Sequence, residues 1–129
     1  MEFMLDTDTA SFIIKKDPVV LEKSLENLGQ WCISTVVYQE LMTGLLMSKS
    51  TRRELVWTDF LRRVEVVPFA REDALATAEI SADLRSKGVN IGKLDEQIAG
   101  HAVSAGLTLV SSNFKHYSQV AGLSLESWR

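Results

Sequence analysis

Short apolar runs that alternate with helical patterns constrain the fold of this chain more than any other feature. The runs occupy residues 3–5, 31–34, 64–67 and 107–110, and a weaker one lies at 123–125. Apolar residues hold most successive positions in them, so each predicted strand must bury both of its faces. Strands of this kind belong to parallel sheets that are covered by helices on both faces. The sequence therefore predicts an α/β protein with a parallel sheet.

Six helical segments separate the predicted strands, and residues that favour helix ends mark their limits. Asp17 and Pro18 begin the second helix, while Gly29 and Gly88 follow the ends of the second and fifth. No linker, repeat or low-complexity stretch interrupts the pattern, so residues 1–129 are predicted to form one domain. The predicted helices cover residues 9–16, 18–28, 35–48, 51–63, 71–87 and 94–105.

The composition excludes several classes of protein. A hydrophobic fraction of 46% and a charged fraction of 24% are typical of a globular chain and exclude intrinsic disorder. No apolar run reaches the length of about 18 residues that a membrane-spanning helix needs. The net charge of −3 argues against nucleic-acid binding by overall charge. The one cysteine, Cys32, allows no internal disulfide, which agrees with a cytoplasmic location.

Polar side chains follow the predicted strands at places where a parallel sheet binds ligands. Asp6 comes after the first strand, and Ser111 and Asn113 come after the fourth. Glu40 lies between one and two turns into the helix after the second strand, and Asp95 begins the helix that leads to the fourth. Ligands of such sheets bind outside the carboxyl ends of the strands. Carboxylates gathered there would repel each other unless a hard cation such as Mg²⁺ or Mn²⁺ bound between them.

Each acid also has an ordinary structural explanation when it is considered by its position alone. Asp6 can form a turn or cap a helix. Glu40 can face solvent in the middle of a helix, and Asp95 can be a favourable charge at a helix start. The spacing pattern by itself therefore predicts a metal site only weakly.

Four segments resemble, in order, the motifs of the PIN-domain family. They are FMLDTD at 3–8, the stretch from Ser34 to Leu41 that contains Glu40, IGKLDEQIAGHA at 91–102 and LVSSN at 109–113. The chain looks most like the VapC-type toxin ribonucleases of bacterial toxin–antitoxin pairs. The resemblance implies a three-layer α/β/α sandwich with a mostly parallel central sheet. It also implies an endoribonuclease that depends on Mg²⁺ or Mn²⁺.

By motif, Asp6, Glu40 and Asp95 match the three acids of the family's catalytic site. Asp6 and Asp95 match the direct metal ligands, and Glu40 matches a carboxylate that contacts the metal or its waters. Thr7 matches the hydroxyl beside the first acid. Asn113 stands where many PIN domains carry a fourth acid, which puts a second metal position in doubt.

Further expectations concern the residues around these motifs and the partners. Ser111 keeps a hydroxyl where threonine is commoner, and Lys93 is the best candidate for a contact with the RNA backbone. Asp8 and Glu96 are interpreted as charges at helix starts. The resemblance implies a structured RNA substrate such as transfer RNA, cleavage that leaves a 5′-phosphate, a homodimer and a cognate VapB-like antitoxin. It implies no membrane partner.

The two histidines and the cysteine are not assigned to the site. His101 and His116 lack the spacing of metal ligands, and His101 is expected to pack or hydrogen-bond within its helix. Cys32 is expected to be buried in the second strand.

Two alternatives stay open at this stage. The opening Asp6-Thr7-Asp8-Thr9 is similar to that of haloacid-dehalogenase-like phosphatases, but the fifth residue is Ala10 and no paired Asp-Asp occurs late in the chain. A PIN-like module that binds partners without catalysis is the second alternative. Metal binding separates it from the nuclease, because a dead domain should show no shift of melting temperature with Mn²⁺.

Overall fold

A computed structural model describes all residues of the chain, 1–129, and shows one five-stranded sheet. All four strand pairings are parallel, and the spatial order is β3-β2-β1-β4-β5. The central strand is completely covered, because Phe3, Met4 and Leu5 are all buried although successive side chains point to opposite faces. This confirms the predicted α/β/α class. The strands are β1 (Phe3–Leu5), β2 (Trp31–Ser34), β3 (Val66–Val67), β4 (Thr108–Val110) and β5 (Leu125–Glu126).

Seven helices connect the strands, and none of them is long and apolar enough to cross a membrane. Asp17 caps the second helix as predicted, with Pro18 in its first position. The helices are α1 (Thr7–Ile14), α2 (Pro18–Glu26), α3 (Thr35–Met47), α4 (Thr51–Arg63), α5 (Arg71–Ser86), α6 (Lys93–Ala105) and α7 (Phe114–Tyr117).

Several helices and strands begin or end one or two residues away from the predicted bounds, and one short helix is not predicted. Helix α1 begins at Thr7 rather than Thr9, because the Asp6 side chain caps it and accepts a hydrogen bond from the Thr9 amide. Strand β3 begins at Val66 rather than at Val64, which is the C-cap of α4. Helix α7 has only four residues, too few for any periodic pattern to predict.

The strand order places a topological switch beside β1. The chain proceeds outward from β1 to β2 and β3, and then continues on the other side of β1 with β4 and β5. The ends of β1 and β4 are aligned, with Leu5 opposite Val110, and the Asp6 amide donates to the Val110 carbonyl at 3.1 Å. A crevice at such a switch is the usual ligand site of an open α/β sheet.

Helices α5 and α6 are joined by polar contacts. The Ser81 hydroxyl of α5 donates to the Glu96 carboxylate of α6, and both side chains are buried. Glu96 lies in the first turn of α6, as expected, and its side chain is buried there. His101 of α6 is buried as expected, with Nδ1 2.7 Å from Ser34 Oγ and Nε2 3.4 Å from Asp73 Oδ2 on α5.

A close helix crossing lies between these polar contacts. A Cβ atom added to Gly100 would lie 2.0 Å from Thr77 Oγ1 and 2.7 Å from Thr77 Cα. No rotation of the threonine side chain moves its backbone away. Because α6 also carries Asp95, this crossing helps to determine where that acid lies.

We expect Gly100→Ala to lower the free energy of unfolding by about 1–3 kcal/mol or more, because the added methyl overpacks the α5–α6 contact. Urea denaturation of the metal-free protein measures the change. Gly44→Ala in α3 is the matched control, since its Cβ would meet only the Trp57 ring, at 3.3 Å. The control should stay within about 1 kcal/mol of the native protein. Equal stability of both variants would contradict the packing account.

Candidate active site

A small polar cavity of about 120 Å³ opens at the carboxyl ends of the strands. It contains all three of the acids that the family motifs indicate, together with two of the three predicted supporting residues. The third supporting residue, Ser111, is fully buried and contacts Asp6. The lining residues are Asp6, Thr7, Asp8, Glu40, Asp95, Asn113 and Tyr117.

Asp6 is held from two sides at the end of β1. Its Oδ1 accepts from the Thr9 amide at 2.8 Å, and its Oδ2 accepts from Ser111 Oγ at 2.6 Å. Burial raises the pKa of Asp6, while these hydrogen bonds act in the opposite direction. The carboxylate is therefore fixed in orientation and costly to ionise without a nearby cation.

Glu40 faces the same cavity from α3, and it is hydrogen-bonded to Thr7 at the start of α1. Thr7 Oγ1 donates to Glu40 Oε1 at 2.6 Å, so the predicted hydroxyl beside Asp6 contacts a second acid of the site. Burial raises the pKa of Glu40, and repulsion from Asp95, Asp8 and Asp6 raises it further. Asp95, Asp8 and Asp6 are thus close enough to Glu40 to destabilise its charge.

Asp95 lies in the first turn of α6, where its side chain is about one third exposed. Its Oδ2 is 3.4 Å from Nδ1 of His116, and the Asn113 amide nitrogen is 3.0 Å from the same ring atom. Sequence reasoning did not place His116 at the site. The contact exists because α7 turns His116 back toward α6, and no spacing rule for metal ligands describes it.

Tyr117 is the second residue that the sequence did not indicate. It lies on α7, it is buried, and it lines the cavity. Burial and the carboxylates of Asp95 and Asp6 raise the pKa of its phenol, which therefore stays protonated at neutral pH. The sequence pattern does not show whether a buried tyrosine lines a site or only packs in the core.

The remaining predictions concern residues beside the cavity. Asp8 is in the first turn of α1, as expected, and it also adds a carboxylate to the cavity. Lys93 is exposed at the start of α6, two residues before Asp95. Its contact with RNA stays a prediction. Cys32 is buried, as expected, and burial raises the pKa of its thiol to about 11.

The donor set fits a hard divalent cation. No three His, Cys, Asp or Glu side chains converge closely enough to hold a metal by themselves. Mg²⁺ is commonly held by one or two carboxylates and keeps several of its waters. Asp6 and Asp95 can supply two such oxygens, and Glu40 can contact a water. A cation would also relieve the repulsion that raises the pKa of Glu40.

We expect Glu40→Gln to raise the melting temperature in EDTA near neutral pH. The pKa of Glu40 is raised on folding, so the folded protein binds that proton more readily than the unfolded chain. Ionised Glu40 therefore destabilises the fold, and this effect disappears as the pH falls toward the ordinary carboxyl pKa of about 4.3. Glutamine keeps an oxygen for Thr7 without the charge.

The measurement is differential scanning fluorimetry of both proteins at several pH values. The advantage of the variant should shrink as the buffer becomes more acidic. Glu22→Gln, on the exposed face of α2, serves as the control and should change little. A variant that melts at or below the native temperature throughout would show that repulsion at Glu40 is negligible.

Comparisons with known proteins agree with this geometry. Residues 3–123 match the PIN domain family. The chain is 36% identical over 130 residues to a Salmonella typhimurium protein named tRNA(fMet)-specific endonuclease VapC, covering 99% of this chain and 98% of that protein. A Shigella flexneri protein of the same name is 38% identical, with the same coverage.

Solved structures show the same similarity. The chain superposes on a chain from the DNA-bound VapBC crystal structure of Salmonella typhimurium with a TM-score of 0.94 and 36% identity, covering 100% and 99% of the two chains. It superposes on a chain of VapBC2 from Rickettsia felis, bound to a promoter DNA fragment, with a TM-score of 0.90 and 32% identity over both full chains. The resemblance seen in the sequence is confirmed: the chain belongs to the PIN-domain family, among its VapC-type toxins.

Proposed function

We propose that the chain is a metal-dependent endoribonuclease that hydrolyses phosphodiester bonds of RNA. The observation that carries this proposal is the cavity at the β1–β4 switch, which Asp6, Glu40 and Asp95 line together. The names of the relatives support the same activity, since they are ribonucleases or endonucleases. The similarity spans nearly the whole chain.

The site residues divide into those that would hold the cation and those that surround it. Asp6 and Asp95 would be the ligands, and Glu40 would contact a coordinated water through Oε2, because Oε1 is bound by Thr7. Mg²⁺ or Mn²⁺ would neutralise the acids, lower the pKa of a water and stabilise charge at phosphorus. Attack by water leaves a 5′-phosphate and a 3′-hydroxyl.

The sequence and the family match count against the phosphatase alternative. A phosphatase of that class uses its first aspartate as a nucleophile, but this chain has Ala10 at the fifth position of the motif and no paired Asp-Asp late in the sequence. Residues 3–123 match the PIN domain family instead.

We infer that the substrate is a structured RNA, with transfer RNA as the first candidate. The Salmonella and Shigella relatives are named as specific for tRNA(fMet). An acidic cavity on a chain of net charge −3 would repel a phosphodiester without a cation. Lys93, at the start of α6, would offset part of that repulsion.

We also propose a VapB-like antitoxin as the partner, since the solved relatives are VapBC assemblies. Blocking the acidic cavity is the simplest way for such a partner to neutralise the toxin. A homodimer and a cytoplasmic location complete the proposal, and both stay predictions.

We expect Asp6→Asn and Asp95→Asn to reduce cleavage of bulk transfer RNA by about 100-fold or more, because each removes a charged ligand of the cation. The assay compares end-labelled RNA incubated with Mg²⁺ or Mn²⁺ against EDTA. Asp59→Asn, on the exposed surface of α4, is the matched control and should cleave normally. Circular dichroism checks that all variants are folded.

The outcomes of this assay separate the alternatives. Discrete products that require metal and vanish in both site variants would establish the nuclease. Full activity of either variant would remove that acid from the mechanism. Native protein that neither cleaves RNA nor binds Mn²⁺ would favour the non-catalytic binding module.

A further inference from the structure

The loop after β4 connects two acids of the cavity through hydrogen bonds. Ser111 Oγ donates to Asp6 Oδ2 at 2.6 Å and accepts from the backbone amide of Asn113 at 2.9 Å. The Asn113 side chain lies 3.0 Å from His116 Nδ1, which lies 3.4 Å from Asp95 Oδ2. One short segment of the chain therefore contacts the carboxylate at the end of β1 and the carboxylate at the start of α6.

The position of the proton on the His116 ring follows from the groups around its Nδ1 atom. An ionised Asp95 can only accept hydrogen bonds, so the ring atom nearest to it must carry a proton. The same N–H cannot accept from an amide group. The Asn113 side chain must then present its oxygen rather than its nitrogen, since the two are exchanged by a half-turn of the amide. In this arrangement the Nδ1 proton is shared between Asp95 and Asn113.

The segment that carries His116 is firmly attached to the core. Tyr117 is buried beside it, and its backbone amide donates to the Asn113 carbonyl at 3.2 Å. Ser111 is fully buried at the other end. By contrast, the side chain of Asp95 is about one third exposed, and this segment contacts it through His116 Nδ1, at 3.4 Å, and through the Tyr117 hydroxyl. Without His116, fewer contacts would restrict the rotation of the Asp95 carboxylate.

We propose that His116 is a positioning residue that orients Asp95 and holds it at a set distance from Asp6. This inference rests on the proposed function, in which these two acids hold the cation. His116 does not line the cavity and needs no contact with the metal or the RNA. Its effect comes from reducing the freedom of a carboxylate that must otherwise be ordered when the cation binds.

This role differs measurably from that of a surface ion pair. The His116 side chain is 42% exposed, and a pair so exposed adds little to the stability of a fold. A residue that only stabilised α7 would change the melting temperature in EDTA. A positioning residue should instead change cation affinity while that melting temperature stays the same.

The experiment measures Mn²⁺ affinity by calorimetry on the full chain, with the melting temperature in EDTA recorded for each variant. His116→Ala should weaken Mn²⁺ binding about tenfold or more, the loss typical of removing a neighbour that orients a metal ligand. His116→Asn should recover part of the affinity, because its amide can donate from near the position of Nδ1. Lys115→Ala, at the next residue of α7, should bind Mn²⁺ as the native protein does.

Two further readouts decide whether the effect passes through Asp95. Nitrogen-15 NMR of the metal-free protein should show His116 as the Nδ1–H tautomer, and the Nε2–H tautomer would overturn the proposal. In Asp95→Asn protein, His116→Ala should cause no further loss of Mn²⁺ affinity, because the group that it orients has been changed. An additive loss would also overturn the proposal.

The result also separates this inference from the proposed function. Native protein that binds Mn²⁺ and cleaves RNA, with His116→Ala protein that binds Mn²⁺ equally well, would reject the inference alone. Native protein that fails to bind Mn²⁺ would reject both.

Discussion

The fold gathers carboxylates in one small cavity, and the rest of the structure must tolerate the repulsion between them. Asp6 is buried at the end of β1, and Glu40 has a raised pKa through burial and through its acidic neighbours. Such an arrangement opposes folding at neutral pH. A bound cation would offset this cost. The destabilised cavity and the proposed activity therefore both follow from the same cluster of carboxylates.

The parallel sheet and the α5–α6 contact bring these acids together from distant parts of the sequence. The switch beside β1 aligns the ends of β1 and β4, which places Asp6 next to Ser111. The close approach at Gly100 and the buried Ser81–Glu96 hydrogen bond fix α6, whose first turn presents Asp95. The core thus determines the distances between groups that belong to three different elements.

Much of this could be predicted because it depends on local patterns. Apolar runs and cap residues locate the strands and most helices, and the rule that parallel sheets bind ligands at the carboxyl ends of their strands points to Asp6. Asp95 and Glu40 needed the family motif, since an acid at a helix start or within a helix is ordinary by its position alone. The contacts of His116, Tyr117 and Glu96 could not be predicted, because they arise from a four-residue helix and from helix packing, which leave no periodic pattern in the sequence.

The central claim is that Asp6 and Asp95 form a divalent cation site at the β1–β4 switch. Anomalous diffraction from crystals of the native protein grown with Mn²⁺ tests it most directly. The account predicts one strong Mn²⁺ peak within ligand distance of both carboxylates, at about 2.0–2.3 Å, with waters completing the coordination. A cavity without a peak at saturating Mn²⁺, or a peak held by residues elsewhere on the protein, would contradict it.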